Sequence, residues 1–320
     1  MIKWGERRLP PQVERISLLV EKGELAPPAA LAGLRQVDEP LLTASATGAH
    51  SPLAEALAQL DALVGLEEVK QLVYEIKAFI EIQQRRRQEG LATEPLTLHM
   101  VFRGNPGTGK TTVARILGTL FKELGVLSKG HLVEVERADL VGEYIGHTAQ
   151  KTREQIKRSL GGILFVDEAY SLARGGDKDF GKESIDCLVK AMEDHRGDLV
   201  LILAGYREEM DYFLQTNPGL RSRFPIKIDF PDYSLNELLE IAQVFLAQRD
   251  YYLSPGAREE LLRQLQVTHN FRHSGNARLV RNIIERAIRR QAVRLAGQSS
   301  LSRDQLMAIE RVDLEGGAAA

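Results

Sequence analysis

Gly104-Asn105-Pro106-Gly107-Thr108-Gly109-Lys110-Thr111 decides the fold. A glycine, four further residues and then Gly-Lys-Thr is the pattern of a phosphate-binding loop, provided that a strand precedes it and a helix follows. Both conditions are met in the sequence. Leu96 to Phe102 reads as a strand, and Lys110 to Leu124 reads as an amphipathic helix. The glycines let successive backbone N–H groups turn inward around phosphate oxygens, and the helix presents its positive end to the same anion. Lys110 can reach the β- and γ-phosphates, and the Thr111 hydroxyl can coordinate Mg²⁺. Thr112 is grouped with Gly104 to Thr111 as a nucleotide-binding position.

Further along, Ile163-Leu164-Phe165-Val166-Asp167-Glu168 delivers two carboxylates at the end of an apolar strand. In an open parallel sheet that end faces the ligand. Asp167 is expected in the Mg²⁺ shell, and Glu168 is expected to orient and polarise the attacking water. Binding a nucleotide needs only the first; hydrolysis needs the second.

Strand signals continue at His131–Val135, Leu199–Ala204 and Ile226–Phe230, with helices at Ala149–Leu160 and Lys182–His195 between them. Short apolar strands separated by amphipathic helices predict an α/β fold, a parallel sheet covered on both faces. After Pro231 no further strand is read. Leu235–Arg249, Pro255–Gln266 and Asn276–Ala296 carry helical periodicity and predict a separate α-helical domain. The first fifty residues are broken by Pro10-Pro11, Pro27-Pro28 and Pro40, before a long helix from Leu66 to Gln88. The expected layout is a weakly ordered extension over 1–57, a nucleotide-binding α/β domain over 58–233, a helical domain over 234–300 and a C-terminal segment and tail over 301–320.

The 320 residues give about two domains at ~150 residues each. Hydrophobic residues at 43% and charged residues at 27% are ordinary for a globular chain. A formal net charge of −2 provides no field to attract nucleic acid or an anionic membrane. No apolar run approaches the ~18 residues needed to span a bilayer, and no secretory leader is read at the N-terminus. Cys187, the single cysteine, cannot form an intrachain disulfide and fits a reducing cytoplasm. Its apolar neighbours on a predicted helix place it in the core. His269 and His273 have the spacing of two ligands on one helix face, but no third ligand lies near them in sequence, so no zinc site is expected. Arg286, Arg289, Arg290 and Arg294 make a basic helix face, expected to be solvated or at a subunit interface.

With a helical domain carrying Gly275-Asn276-Ala277-Arg278, these motifs resemble the AAA+ ATPases over about Ala62 to Arg294. Gly142-Glu143-Tyr144-Ile145-Gly146-His147-Thr148-Ala149, Asp167 to Leu172 and Asn217 to Phe224 resemble the branch that contains the red-type Rubisco activase. Ser128-Lys129-Gly130-His131 and Ala173-Arg174-Gly175-Gly176 are nearer to a sporulation ATPase of that branch. The resemblance implies that 58–233 is an AAA+ ATPase domain and 234–300 its α-helical lid, with ATP and Mg²⁺ as ligands and a homo-oligomeric ring of six. It implies that Val64 and Gly65 pack on adenine and that Arg278 senses the γ-phosphate. It also implies that Arg223, with Arg221 as second candidate, is the finger reaching a neighbour's nucleotide, and that Tyr144-Ile145-Gly146 lines a central pore gripping an extended polypeptide. One departure stands out: where many relatives place a polar residue at the end of the fourth strand, this chain has Ala204-Gly205-Tyr206.

The expected function is ATP-driven remodelling or threading of a protein substrate, in sporulation. Three alternatives stay open: a Rubisco-activase-type remodeller, a nucleotide-gated scaffold, and a nucleic-acid-dependent motor.

Overall fold

The computed structural model describes residues 51–93, 97–144, 146–174, 180–269, 275–298 and 300–315. The expected extension before Ser51, Ile145, His273 and the tail after Glu315 therefore lie outside the described residues.

Five strands form one parallel sheet: β1 (Met100–Gly104), β2 (Leu132–Val135), β3 (Gly162–Val166), β4 (Leu199–Gly205) and β5 (Ile226–Phe230). Their spatial order is β2-β3-β4-β1-β5, so β1 lies between β4 and β5. Successive strand residues point to opposite faces, and here both faces are buried. Met100, Phe102, Ile163, Phe165, Ile202 and Ile228 enter one apolar core; Val101, Leu164, Val166, Leu201 and Leu203 enter the other. Each fully buried side chain of this size contributes roughly 1.5–3 kcal/mol.

Helices α1 (Pro52–Asp61) and α2 (Glu67–Gln88) precede β1, and α3 (Lys110–Glu123) follows it. Helix α1 crosses the expected boundary between residues 57 and 58. Its Ala56 and Leu60 are buried in the core beneath α3, so the helix packs with the ATPase domain rather than with the extension. Short α4 (Arg137–Leu140), then α5 (His147–Ser159), α6 (Gly181–Asp194) and α7 (Arg207–Thr216), carry the second core. Cys187 on α6 is half-buried beside a shallow cavity of about 350 Å³ against α5, not in the core, and burial pushes its thiol pKa up.

The lid contains α9 (Leu235–Ala247), α10 (Pro255–His269) and α11 (Asn276–Leu295); α8 is the short turn of helix Pro218–Arg221. Two expectations fail here. Strands do continue after Pro231: β6 (Tyr252–Leu253) pairs in parallel with β7 (Ala308–Ile309), which sits between α12 (Arg303–Met307) and α13 (Arg311–Leu314). Two-residue strands carry too little periodicity to be read from sequence. The basic face of α11 is also not simply solvated. Arg294 grips the buried Asp313 with two hydrogen bonds of 2.8 Å, and the Arg290 Nη1 donates to the Glu315 carbonyl at 2.6 Å. These arginines fasten the C-terminal segment to the lid.

Removing one partner of a buried pair leaves an uncompensated charge. Arg294→Leu should therefore cost about 3 kcal/mol and release residues 303–315 to rapid hydrogen exchange.

His99 supplies a second measurable term. Its buried ring accepts the Leu201 N–H at Nδ1 over 3.0 Å, extending the β1–β4 pairing, and burial pushes its pKa down to about 4 from 6.5. Below pH 6.5 the unfolded chain takes up a proton that the folded chain refuses until about pH 4. Stability is thus fully present above pH 6.5 and is lost as pH falls through that window. The loss is on the order of 3 kcal/mol. Denaturant melts of the wild type and of His99→Gln between pH 7 and pH 4 check this; the substitution should flatten the slope.

Candidate active site

The order of the strands creates the site. The connection from β1 runs to β2 on one side and that from the adjacent β4 runs to β5 on the other, so a crevice opens beyond their carboxyl ends, where ligands bind in open α/β sheets. A cavity of about 840 Å³ occupies that place. Its floor is the loop between β1 and α3, one wall is the β3–β4 edge, and the other wall is the lid.

Gly107 and Gly109 take positive φ angles of 76° and 98°, as a loop of inward-pointing amides requires. Thr108 is fully buried and closes the loop by donating to the Asn105 carbonyl at 2.8 Å. The Lys110 ammonium donates to the Gly104 and Asn105 carbonyls at 2.8 Å each. Burial pushes the Lys110 pKa down; Asp167 opposes this and Arg278 reinforces it. Two cations thus share a partly desolvated crevice, an arrangement that favours a polyanion.

The cavity brings together Gly104, Pro106, Gly107, Gly109, Lys110, Thr111 and Thr112 from the loop and helix. Asp167 and Glu168 from β3, Val64 from the α1–α2 link and Arg278 from the lid join them. Asn105, Thr108 and Gly65 do not line it. Asn105 and Thr108 act within the loop, and Gly65, at φ 60°, turns the chain into α2 against Glu237. Asp167 accepts the Glu168 N–H at 2.9 Å, and Glu168 adopts φ 46°, a left-handed conformation seldom taken by a non-glycine residue. Burial first, and then the charge of the nearby Glu168 carboxylate, raise the pKa of the Tyr170 phenol. Tyr206 lines the cavity at the end of β4, with its ring 6.1 Å from that of Tyr170.

Arg221 and Arg223 do not line this chain's own cavity. Arg223 pairs with Glu193 and donates to the Gly219 carbonyl at 2.9 Å. Tyr144 also lies apart from it. Its side chain is 65% exposed, touching only the His147 ring edge-on at 5.4 Å among aromatic neighbours.

Sequence reasoning missed three contributors. Tyr233 donates its hydroxyl to the Thr108 carbonyl at 3.2 Å. Glu134 on β2 accepts from the Thr111 hydroxyl at 3.4 Å. Ile241, Val244 and Phe245 of α9 give the cavity an apolar end. A helical stripe identical to any core stripe hid the last of these, and no local motif marks the other two.

Residues 100–232 match the family described as "ATPase family associated with various cellular activities (AAA)", and residues 234–319 match the AAA lid domain. Stage V sporulation protein K of Bacillus subtilis (strain 168) is 58% identical over 268 residues, covering 83% of each chain. The chain belongs to the AAA ATPases. Protein CbbX of Cereibacter sphaeroides is 50% identical over 77% of this AAA ATPase and 80% of its own length. The chloroplastic ribulose bisphosphate carboxylase/oxygenase activase of Cyanidioschyzon merolae is 44% identical over 83% and 92%. The Holliday junction branch migration motor RuvB of Thermotoga maritima shares the fold, with a TM-score of 0.52 at 21% identity over 80% of this chain and 69% of that one. This AAA ATPase binds nucleotide and hydrolyses ATP. Among the described residues, no helix is long and apolar enough to cross a membrane.

Gly107 leaves no room for a side chain. An added Cβ would meet the Arg278 backbone nitrogen at 2.9 Å and would sit at a φ that disfavours side chains. Gly107→Ala should weaken binding of a fluorescent ADP analogue by at least about tenfold, an energy of about 1.4 kcal/mol, measured by titration.

Proposed function

We propose that this AAA ATPase assembles into a ring, by family precedent of six subunits, and spends ATP hydrolysis on pulling an extended protein segment past Tyr144. The observation that carries the proposal is the exposed Tyr144 beside Gly146, at φ 83°, on a loop away from the nucleotide cavity. An exposed aromatic ring on a loop offers apolar area and a polar tip that can hold many sequences without specific hydrogen bonds. Ile145 and Gly146 complete the gripping loop.

In the chemical step, Lys110 and the loop amides hold the β- and γ-phosphates, with Thr112 and Gly104 to Gly109 shaping the cradle. Val64 flanks the adenine at the apolar end beside α9, and Gly65 acts behind it by turning the chain into α2. Thr111 and Asp167 would hold Mg²⁺. Two hard oxygens on one cavity suit that ion, which usually keeps water and substrate phosphate as its other ligands. Among the described residues no group of three or more His, Cys, Asp or Glu forms a fuller metal cage. When bound, the metal neutralises charge on the phosphates. Glu168 takes a proton from the attacking water, while Arg278 meets the γ-phosphate from the lid. Arg223 lies outside its own cavity, which supports a role at a neighbour's site, with Arg221 as the second candidate. Exchange of Glu193 for a phosphate would then accompany assembly. Tyr206 stands where relatives carry a polar residue and offers its hydroxyl instead.

We assign the ATPase unit to residues 52–233 and the lid, with its C-terminal segment, to 234–315. The substrate is a protein of the sporulating cell, by similarity to stage V sporulation protein K. A second reading, remodelling of Rubisco, rests on the similarity to CbbX and to the chloroplastic activase. Release of inhibited Rubisco by the purified protein would select it.

ATP turnover per subunit should rise steeply with protein concentration, and Arg223→Ala should abolish the rise, with Glu168→Gln as the blank. Such a finger contributes ~10³–10⁵ in rate. Tyr144→Ala should spare turnover within about threefold and abolish force on a protein substrate. A rate that is flat in concentration, or remodelling that survives Tyr144→Ala, contradicts the proposal.

A further inference from the structure

The lid is joined to the phosphate loop by a buried amide. Asn276 opens α11 with φ 47° and its side chain is fully buried. Its Oδ1 accepts the Tyr233 N–H at 3.0 Å. Its Nδ2 donates to the Asp232 carboxylate at 2.8 Å and to the Pro106 carbonyl at 3.3 Å. The orientation of the amide is fixed by its partners: a carboxylate and a carbonyl can only accept, and a backbone N–H can only donate. Asp232 also accepts from the Asn105 Nδ2, at 3.0 and 2.9 Å to its two oxygens. One residue further along, the Ala277 N–H donates to the Gly107 carbonyl at 3.1 Å.

Three parts of the chain therefore meet at one side chain: the phosphate loop, the link from β5 to the lid, and the start of the lid helix. Arg278 follows two residues later. A left-handed asparagine costs conformational energy, which persists only where the surroundings over-determine it. A buried, fully bonded polar group specifies one arrangement, because any other leaves its atoms unpaired.

We infer that Asn276 is a positioning residue for ATP hydrolysis: it fixes the angle of the lid on the phosphate loop and so aims Arg278. This rests on the reading of Arg278 as the group that meets the γ-phosphate. Through Asp232 and Asn105, a change in the shape of the loop is passed to the lid by hydrogen bonds between neighbours.

Asn276→Gly is the informative variant, because glycine keeps the backbone conformation without strain and removes only the amide. Spin labels are placed at Lys157→Cys and Val293→Cys in a Cys187→Ser background, both positions being exposed. Their distance distribution with bound ADP should be narrow in the parent and broad in Asn276→Gly. Turnover should fall about tenfold, and the double variant Asn276→Gly/Arg278→Ala should be no slower than Arg278→Ala alone. An unchanged distribution, or a double variant in which the two losses multiply, overturns the inference. Should Asn276→Gly not fold, Asp232→Ala, at an exposed position, cuts the same junction and is judged by the same two outcomes. If Arg278→Ala leaves turnover intact while Lys110→Ala abolishes it, the parent reading of Arg278 has failed; the distance distribution still decides whether Asn276 holds the lid.

Discussion

The close approach of the lid to the phosphate loop at Gly107 is the constraint on which the site depends. There is no room for a side chain between the loop and the backbone of Arg278, so the floor and the roof of the cavity meet at a single glycine. Around this contact the polar groups are satisfied in pairs: Ala277 with Gly107, Tyr233 with Thr108, and Asn276 with Asp232 and Pro106. Each is a modest interaction alone, about 1 kcal/mol net, but none can be made unless the others are in register. A nucleotide seated on the loop is thereby also seated against the lid.

Charge follows the same geometry. Lys110 and Arg278 are held near each other where burial already disfavours the charged lysine, and Asp167 offsets only part of that cost. A triphosphate supplies the missing negative charge, so binding relieves an electrostatic tension built into the fold. The chain as a whole, at −2, has no such bias, which places the attraction in the crevice and not in a general surface field.

Much of this was legible in the sequence because it is local. The phosphate loop announces itself within eight residues, and Asp167 and Glu168 follow four apolar strand residues in an unbroken run. All five sheet strands and the long helices were expected, because apolar runs and helical periodicity are strong over such lengths. What was not legible depends on contacts between distant segments. The β6–β7 pair joins residues more than fifty positions apart through two residues each. The basic face of α11 reads as solvated or at a subunit interface; for Arg290 and Arg294 it is neither, because their partners, the Glu315 carbonyl and Asp313, lie in a separate segment about twenty residues further along the chain. Asn276 sits in a motif in which the arginine carries the visible charge; its own role appears only when Pro106, Asp232 and Tyr233 converge on it.

In the proposed ring a complete hydrolytic site takes groups from two subunits: Lys110 and Glu168 from one, Arg223 from its neighbour. Mixing two inactive proteins tests it most directly. Lys110→Ala keeps the finger but loses the site, and Arg223→Ala keeps the site but loses the finger. Combined at equal concentration, they should regain about a quarter of wild-type turnover per subunit, the share of interfaces that pair an intact site with an intact finger. A mixture as inactive as its components would contradict the account.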